Sequence, residues 1–336
     1  MKTYNVAILG ATGAVGQEML NVLEERDFPV NELRLLASKR SVGKEMTFKN
    51  QTYTLQEANE HAFAGMDIVL GAVENDVAEK LLPYAVKAGA LVIDNSSAYR
   101  LDENVPLVVP EVNPEDIKNH NGIIANPNCS TIIALVAINA LHEYAGVESI
   151  VASTYQAVSG AGNPGQAELE TQVQEILEGK EVQPKVFAYQ IAYNVIPQIG
   201  GFDENGYTSE EMKMQNEGRK ILHHDDLKVT CTCVRVPVMR SHSESLTLTF
   251  KNDIDVAKAK ELLANAKGVK LVDNPQENQY PMPLDSSNQD LVYVGRIRKD
   301  LMRDKALTLW CCGDQVRKGA ATNAVQIAIE YVKQNA

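Results

Sequence analysis

Of the five cysteines in this 336-residue chain, Cys129 has the setting most suited to chemistry. It sits in Asn126-Pro127-Asn128-Cys129-Ser130-Thr131, a proline-bearing turn that feeds the apolar run Ile132, Ile133, Ala134, Leu135, Val136, Ala137, Ile138, Ala140, Leu141. That run predicts a buried helix with Cys129 in or just before its first turn. Backbone N–H groups without intrahelical partners, and the positive end of the helix dipole, favour an anion there, so the thiol is expected to ionise readily and act as a nucleophile. The same donors can hold an oxyanion. A second reading stays open: a small buried hydrophobe beside an Asn cap, the commoner fate of an arbitrary cysteine. A thiol nucleophile needs an acid/base partner. Of the six histidines, His61, His120, His142, His223 and His224 have no chemically suggestive neighbours. His242 lies in Arg240-Ser241-His242-Ser243-Glu244, a polar connection expected between two strands, and is the candidate base for Cys129.

The other cysteines point to packing. Cys231 and Cys233 alternate on one predicted strand face, and Cys311 and Cys312 lie in an apolar strand. With an odd total and no CxxC pair, neither a disulfide framework nor a zinc site is supported, and no metal is expected.

The elements around these residues follow from periodicity. Residues 4–10 read as a buried strand, and Gly10-Ala11-Thr12-Gly13-Ala14-Val15-Gly16 follows as a glycine turn into a helix over 17–25. This is the pattern of a first βα turn that holds a pyrophosphate, with glycines allowing close backbone approach and the helix N-terminus supplying donors. A glycine-rich turn with no ligand is the competing reading. The second strand, 33–37, ends in Ser38-Lys39-Arg40-Ser41, where an NAD-selective site carries Asp or Glu; hydroxyls and cations there favour a 2′-phosphate, hence NADP, over a solvated basic loop.

Further strands are predicted at 67–73, 91–94, 107–109 and 122–125, with a helix over 76–87, which implies an α/β doubly wound parallel sheet of Rossmann type. Beyond the Cys129 helix the pattern changes. A strand over 149–158 and helices over 164–177 and 209–222 precede strands over 228–238, 244–251, 291–298 and 306–312, read as an α+β catalytic and dimerisation domain with one exposed sheet face. A last amphipathic helix, 319–333, returns to the first domain. The expected division is 1–127 plus 314–336 for the nucleotide domain and 128–313 for the catalytic one.

Composition narrows the function classes. A net charge of −12, with no basic stripe, opposes nucleic-acid binding. No apolar run reaches the roughly 18 residues of a membrane helix, and no signal-peptide pattern precedes the first strand, so a cytoplasmic location is the expectation.

Taken together, the hexapeptide around Cys129 and the glycine turn resemble aspartate-semialdehyde dehydrogenases of the bacterial branch. The likeness runs over nearly the whole chain. It takes in Val108-Val109-Pro110-Glu111-Val112-Asn113, Ser153-Thr154-Tyr155-Gln156-Ala157-Val158-Ser159-Gly160-Ala161-Gly162, Glu210-Glu211-Met212-Lys213, Cys233-Val234-Arg235-Val236-Pro237, Ser241-His242-Ser243-Glu244-Ser245 and Val294-Gly295-Arg296-Ile297-Arg298.

The resemblance implies NADPH-dependent reduction of L-aspartyl 4-phosphate to aspartate 4-semialdehyde and phosphate, serving lysine, diaminopimelate, methionine and threonine biosynthesis, in a homodimer. It implies that Cys129 forms a thioester, that His242 is the acid/base residue and that Gln156 orients the intermediate. Arg235 matches the carboxylate ligand, Glu210 the residue that meets the ammonium, and Arg100 and Lys213 the phosphate ligands. Asn128 and Asn95 match amides near the phosphate. Gly10, Thr12, Gly13, Ala14, Val15, Gly16, Ser38 and Arg40, with Ser159, Gly160 and Gln315, match the cofactor site. Two departures fall there: Ala72-Val73-Glu74-Asn75 replaces a run of small residues, and Gln315 stands where Asn is usual. Another acyl-phosphate reductase, such as an N-acetylglutamyl-phosphate reductase, and a nonenzymatic NADP-binding regulator are the rival readings. Glu210 speaks against an acetylated substrate, which has no ammonium to meet.

Overall fold

Alternation along the first strand puts Val6 and Ile8 in one apolar core and Ala7 and Leu9 in another, so the first sheet is buried on both faces. The computed structural model of the chain describes residues 2–335. The chain runs β1 (Tyr4–Leu9), α1 (Ala14–Glu25), β2 (Val30–Ala37), β3 (Glu45–Phe48), β4 (Gln51–Thr54), β5 (Gln56–Glu57), β6 (Ile68–Gly71), α2 (Asn75–Lys87), β7 (Leu91–Asp94) and β8 (Ile123–Ala125). It continues with α3 (Cys129–Ala145), β9 (Val147–Gln156), α4 (Gly162–Leu177), α5 (Ser209–Ile221), β10 (Lys228–Arg235) and β11 (His242–Phe250). Then come α6 (Val256–Ala264), β12 (Val269–Leu271), α7 (Pro283–Ser286), β13 (Val292–Lys299), β14 (Ala306–Gly313) and α8 (Thr322–Gln334).

Two compact units result, one ending at Asn128 and resuming at Ala320, the other Cys129–Gly319. The sequence reading returns the chain at 314; the structure returns it six residues later. The reason is local: Arg240 Nε donates to Asp314 at 2.6 Å and the Ser241 N–H donates to Gln315 at 2.9 Å, which ties this turn into the second unit.

The first unit is the expected parallel sheet, in the order β5-β2-β1-β6-β7-β8, with all five pairings parallel. Helices α1 and α8 bury apolar stripes against one face and α2 against the other. Gly10 has φ +88°, and a Cβ there would lie 2.2 Å from the Ala72 carbonyl oxygen, so only glycine fits this turn. Two details differ from the sequence reading. The stretch 107–109 makes only a bridge from Leu107 to Ala125, because the Asn113 side chain accepts from Val109 N–H and donates to the Leu107 carbonyl, at 2.9 Å each. The hairpin β3–β4 turns on Lys49 and Asn50, both at positive φ, without the glycine that usually marks such a turn.

The second unit is a mixed sheet in the order β10-β9-β11-β14-β13-β12, parallel at its two edges and antiparallel between. Helix α3 packs on one face and is buried from Ser130 to Ile138, as its all-round apolar sequence requires. The opposite face is open, with Val151 and Tyr155 exposed and the Tyr155 and Trp310 rings 5.4 Å apart. All four remaining cysteines are buried and free, as expected; Cys231 and Cys233 lie 3.7 Å apart, sulfur to sulfur.

Glu244 is an acid within this core. It is fully buried, contacts the Cys311 thiol at 3.9 Å, and its Oε1 has no hydrogen-bond partner among the described residues. Burial holds its pKa well above the carboxylate range, with the neighbouring Cys233 adding to the shift, so it is carried as the neutral acid. The folded state therefore holds a proton that the unfolded chain releases above its ordinary pKa, and this group's contribution falls as pH rises from about 4.5. Glu244→Gln is expected to raise the melting temperature at pH 7 and to leave it near wild type at pH 4. Equal shifts at both pH values, read by circular dichroism, would rule out a protonated Glu244.

Candidate active site

The ends of three strands assemble the site in the second unit. Parallel pairing of β9 with β10 sets Gln156 beside Arg235, and β11 begins next to them with His242. His242 is thus the first residue of a strand, and completely buried, rather than part of a polar connection. Cys129 is the first residue of α3 and half-buried. A side chain at Gly319 would bring its Cβ within 2.9 Å of the Cys129 Cβ, so glycine there leaves the thiol its space.

Hydrogen bonds converge on Gln156 and Ala157. Gln156 Nε2 donates to Glu210 Oε1 at 3.2 Å and lies 3.5 Å from His242 Nε2, while Thr154 donates to Gln156 Oε1 at 2.9 Å. The Ala157 N–H donates to His242 Nδ1 at 3.0 Å, and Arg235 NH1 donates to the Ala157 carbonyl at 2.7 Å. Lys213 closes an ion pair on Glu210 Oε2 at 2.9 Å across one turn of α5, as the i, i+3 spacing predicts. Arg235 lies within electrostatic reach of Cys129 and Glu210, and burial lowers its pKa from the usual arginine value. A Cβ at Gly160 would come 2.7 Å from Arg235 NH1 and 3.2 Å from His242 Cε1. Gln156, Arg235, Glu210, Lys213 and His242 are therefore one connected group.

The His242 ring is held neutral. Burial, and then the Arg235 charge, push its pKa down to about 3, with Glu210 opposing. Because a backbone N–H cannot accept, Nδ1 carries the lone pair and the proton of the neutral ring sits on Nε2. In this state His242 is a hydrogen-bond donor.

Other sequence-predicted residues lie in the first unit. Arg100 is buried, donating to the backbone carbonyls of Asn126 and Asn95 at 2.9 Å each, and Asn126 Nδ2 donates to Asn95 Oδ1 at 2.7 Å. Asn128 is buried at the end of that unit.

Of the cofactor set, Gly10, Thr12 and Gly13 lie in the β1–α1 turn, and Ala14, Val15 and Gly16 form the first turn of α1. Gly13 is the exposed N-cap of α1, which has no side-chain cap and no acidic residue in its first turn. A Cβ at Gly16 would meet the Gly10 carbonyl oxygen at 2.2 Å, whereas one at Gly13 would come no closer than 3.4 Å. This cradle, approachable by backbone and rich in donors, fits a dinucleotide pyrophosphate. Ser38, Lys39 and Arg40 are exposed at the end of β2, with no acid from 36 to 44, a donor set that fits a 2′-phosphate. Glu74 is exposed at the N-cap of α2. Ser159, Gly160 and Gln315 belong to the second unit, where Gln315 Nε2 donates to Ser159 Oγ.

The sequence reading overlooked Glu211. Its carboxylate closes a capping box with Thr208 and accepts the Cys233 N–H at 2.9 Å, fixing α5, and with it Glu210, against β10. The signal was present, since Thr208-Ser209-Glu210-Glu211 spells such a box.

A parallel sheet with a glycine turn after its first strand is the architecture of an oxidoreductase that uses a pyridine nucleotide. Residues 5–120 match the NAD binding domain of semialdehyde dehydrogenases, and residues 138–318 their dimerisation domain. The aspartate-semialdehyde dehydrogenase of Aquifex aeolicus is 52% identical over 98% of each chain. Aspartate semialdehyde dehydrogenase II of Vibrio cholerae, solved in complex with ASA, superposes with a TM-score of 0.97 at 45% identity over 99% of each chain. The enzyme from Candida albicans, solved with NADP, gives a TM-score of 0.75 at 27% identity over 99% of each chain. The chain belongs to the aspartate-semialdehyde dehydrogenase family.

The neutral state of His242 has a thermodynamic consequence. Its folded pKa of about 3 lies below the ordinary 6.5, so between those values the unfolded chain binds a proton that the native protein refuses. Stability is lost as pH falls through that window. On going from pH 7.5 to pH 5, wild type should lose about 2 kcal/mol more unfolding free energy than His242→Gln. Denaturant titrations at the two pH values measure this; parallel losses would mean that His242 is charged in the native state.

Proposed function

We propose that this chain reduces L-aspartyl 4-phosphate to aspartate 4-semialdehyde with NADPH, on the shared route to lysine, diaminopimelate, methionine and threonine. The observation that carries the reading is the grouping of Arg235, Glu210, Lys213, Gln156 and His242 on the sheet whose covering helix begins at Cys129. These groups offer opposite charges for a substrate with a carboxylate and an ammonium, beside a nucleophile. Arg235 holds the α-carboxylate and Glu210 the ammonium, the guanidinium fork suiting a bidentate anion. Arg100 and Lys213 bind phosphate, with Asn128 and Asn95 supplying amides.

Cys129, as the thiolate, attacks the acyl phosphate carbon, and phosphate leaves to give a thioester. When bound, NADPH supplies the hydride that reduces that thioester. Gln156 orients the acyl group, and the His242 Nε2–H faces the carbonyl oxygen as negative charge grows on it. Collapse of the hemithioacetal releases the aldehyde and restores the thiolate. The first unit, 1–128 with 320–336, is the NADP-binding domain, in which Gly10, Thr12, Gly13, Ala14, Val15 and Gly16 cradle the pyrophosphate and Ser38 and Arg40 meet the 2′-phosphate. The second unit, 129–319, carries catalysis and dimerisation; Ser159, Gly160 and Gln315 there receive the nicotinamide. The open face of the second sheet, with Val151 and the Tyr155 and Trp310 pair, is suited to bury against a second copy, giving a cytoplasmic homodimer.

The test runs the reaction in reverse. Purified protein with aspartate semialdehyde, phosphate and NADP should produce NADPH absorbance, with NAD distinctly poorer. Cys129→Ala should lower kcat by about a thousand-fold or more. No reduction of NADP, or an unaltered Cys129→Ala rate, sinks the reading.

A further inference from the structure

Arg235 is gripped by a segment that the reaction itself does not involve. Between α4 and α5 the chain passes over the end of β10. Ile196 pairs there with Arg235 in both directions, Ile196 N–H to the Arg235 carbonyl at 2.9 Å and Arg235 N–H to the Ile196 carbonyl at 2.8 Å. Nine residues earlier the Phe187 ring packs against the Arg235 guanidinium, 5.8 Å from centroid to Cζ. The segment thus holds both the backbone and the side chain of Arg235.

What fixes the segment is α4. Glu168 is buried, and its carboxylate accepts three consecutive backbone N–H groups: Lys185 at 3.0 Å, Val186, and Phe187 at 3.3 Å. One turn on, the buried Gln172 accepts from Ile191 and Ala192 N–H at 2.8 and 3.0 Å, and donates to Glu168 at 3.0 Å. Ile191, Ala192 and Ile196 close a small apolar core with Val158 and Leu169, against which Phe187 packs. Backbone N–H groups accepted by a buried carboxylate form strong, directional bonds, so a five-bond attachment of this kind restrains the strap closely.

We propose that Glu168 and Gln172 are positioning residues for carboxylate recognition, acting on the substrate through the strap 185–196 and Arg235. The inference rests on the reading of Arg235 as the ligand of the α-carboxylate. None of the strap's bonds to Glu168 or Gln172 involves Cys129, His242 or Gln156, and loosening it lets the guanidinium swing, which weakens binding of the carboxylate more than it slows the chemistry. The effect must therefore be specific to aldehydes that carry that carboxylate.

The experiment compares aspartate semialdehyde with 3-aminopropanal, which keeps the aldehyde and ammonium and lacks the carboxylate, using phosphate and NADP. For Glu168→Ala and Gln172→Ala the KM for aspartate semialdehyde should rise about ten-fold with kcat within about three-fold, while kcat/KM for 3-aminopropanal stays within about two-fold. Arg235→Ala should collapse the preference for aspartate semialdehyde, and adding Glu168→Ala to it should change the preference no further. Glu168→Gln, which keeps the volume but offers one acceptor oxygen, gives the same direction should the alanine variant fold poorly. If both aldehydes suffer equally in variants that melt like wild type, or neither suffers while Arg235→Ala loses its preference, the positioning role is wrong. If Arg235→Ala itself keeps the preference, the assignment of Arg235 fails, and the inference with it.

Discussion

Holding a guanidinium, an imidazole and a carboxylate together out of water is the constraint on which the second unit is built. Each buried charge costs several kcal/mol unless a partner offsets it. Arg235 meets that cost with the Ala157 carbonyl and the field of Glu210, and Glu210 meets its own with Lys213 and Gln156. His242 has the Ala157 N–H at one nitrogen and a cation nearby, and the opposing field of Glu210 does not make up for burial, so the ring stays neutral. Arg235 and Lys213 set two cations against the Glu210 carboxylate. Stability and chemistry thus draw on the same few hydrogen bonds.

Geometry follows from that constraint. Gln156 and Arg235 can face one group only because β9 and β10 pair in parallel register at their ends, and parallel neighbours need a long crossover. The crossover here is α4, the strap and α5. These elements supply what the strand ends lack: Glu210 and Lys213 from α5, and from the strap the ring and backbone that hold Arg235. Space is set by glycine, since side chains at Gly160 or Gly319 would displace Arg235 or Cys129.

How much of this was legible depended on how far apart the partners lie in the chain. The Cys129 helix and the β1–α1 turn are local patterns; the first formed where periodicity put it, and the second gives way to α1 at Ala14, three residues before the expected start. The pairing of Arg235 with Ala157 joins residues 78 apart, and no local pattern carries that; only resemblance to a known family brought Arg235, Glu210 and His242 into one site. The differences have local causes as well. Polar residues around His242 suggested a loop, yet a β-strand satisfies their backbone while burying Ser243 and Glu244. At 107–109 an asparagine side chain took the hydrogen bonds that a strand would have needed.

The tautomer of His242 bears on the proton economy of the site. In the proposed cycle, attack by the Cys129 thiolate and collapse to the aldehyde return the sulfur as an anion, so that cycle requires no base within it. It does require a donor each time the carbonyl oxygen becomes an alkoxide, and a neutral ring with its proton on Nε2 supplies one without changing charge. Were Nδ1 to carry the proton instead, it would confront the Ala157 N–H, donor against donor, in a buried site. One backbone amide therefore selects the form of the imidazole, and through it the electrostatic role that His242 can play.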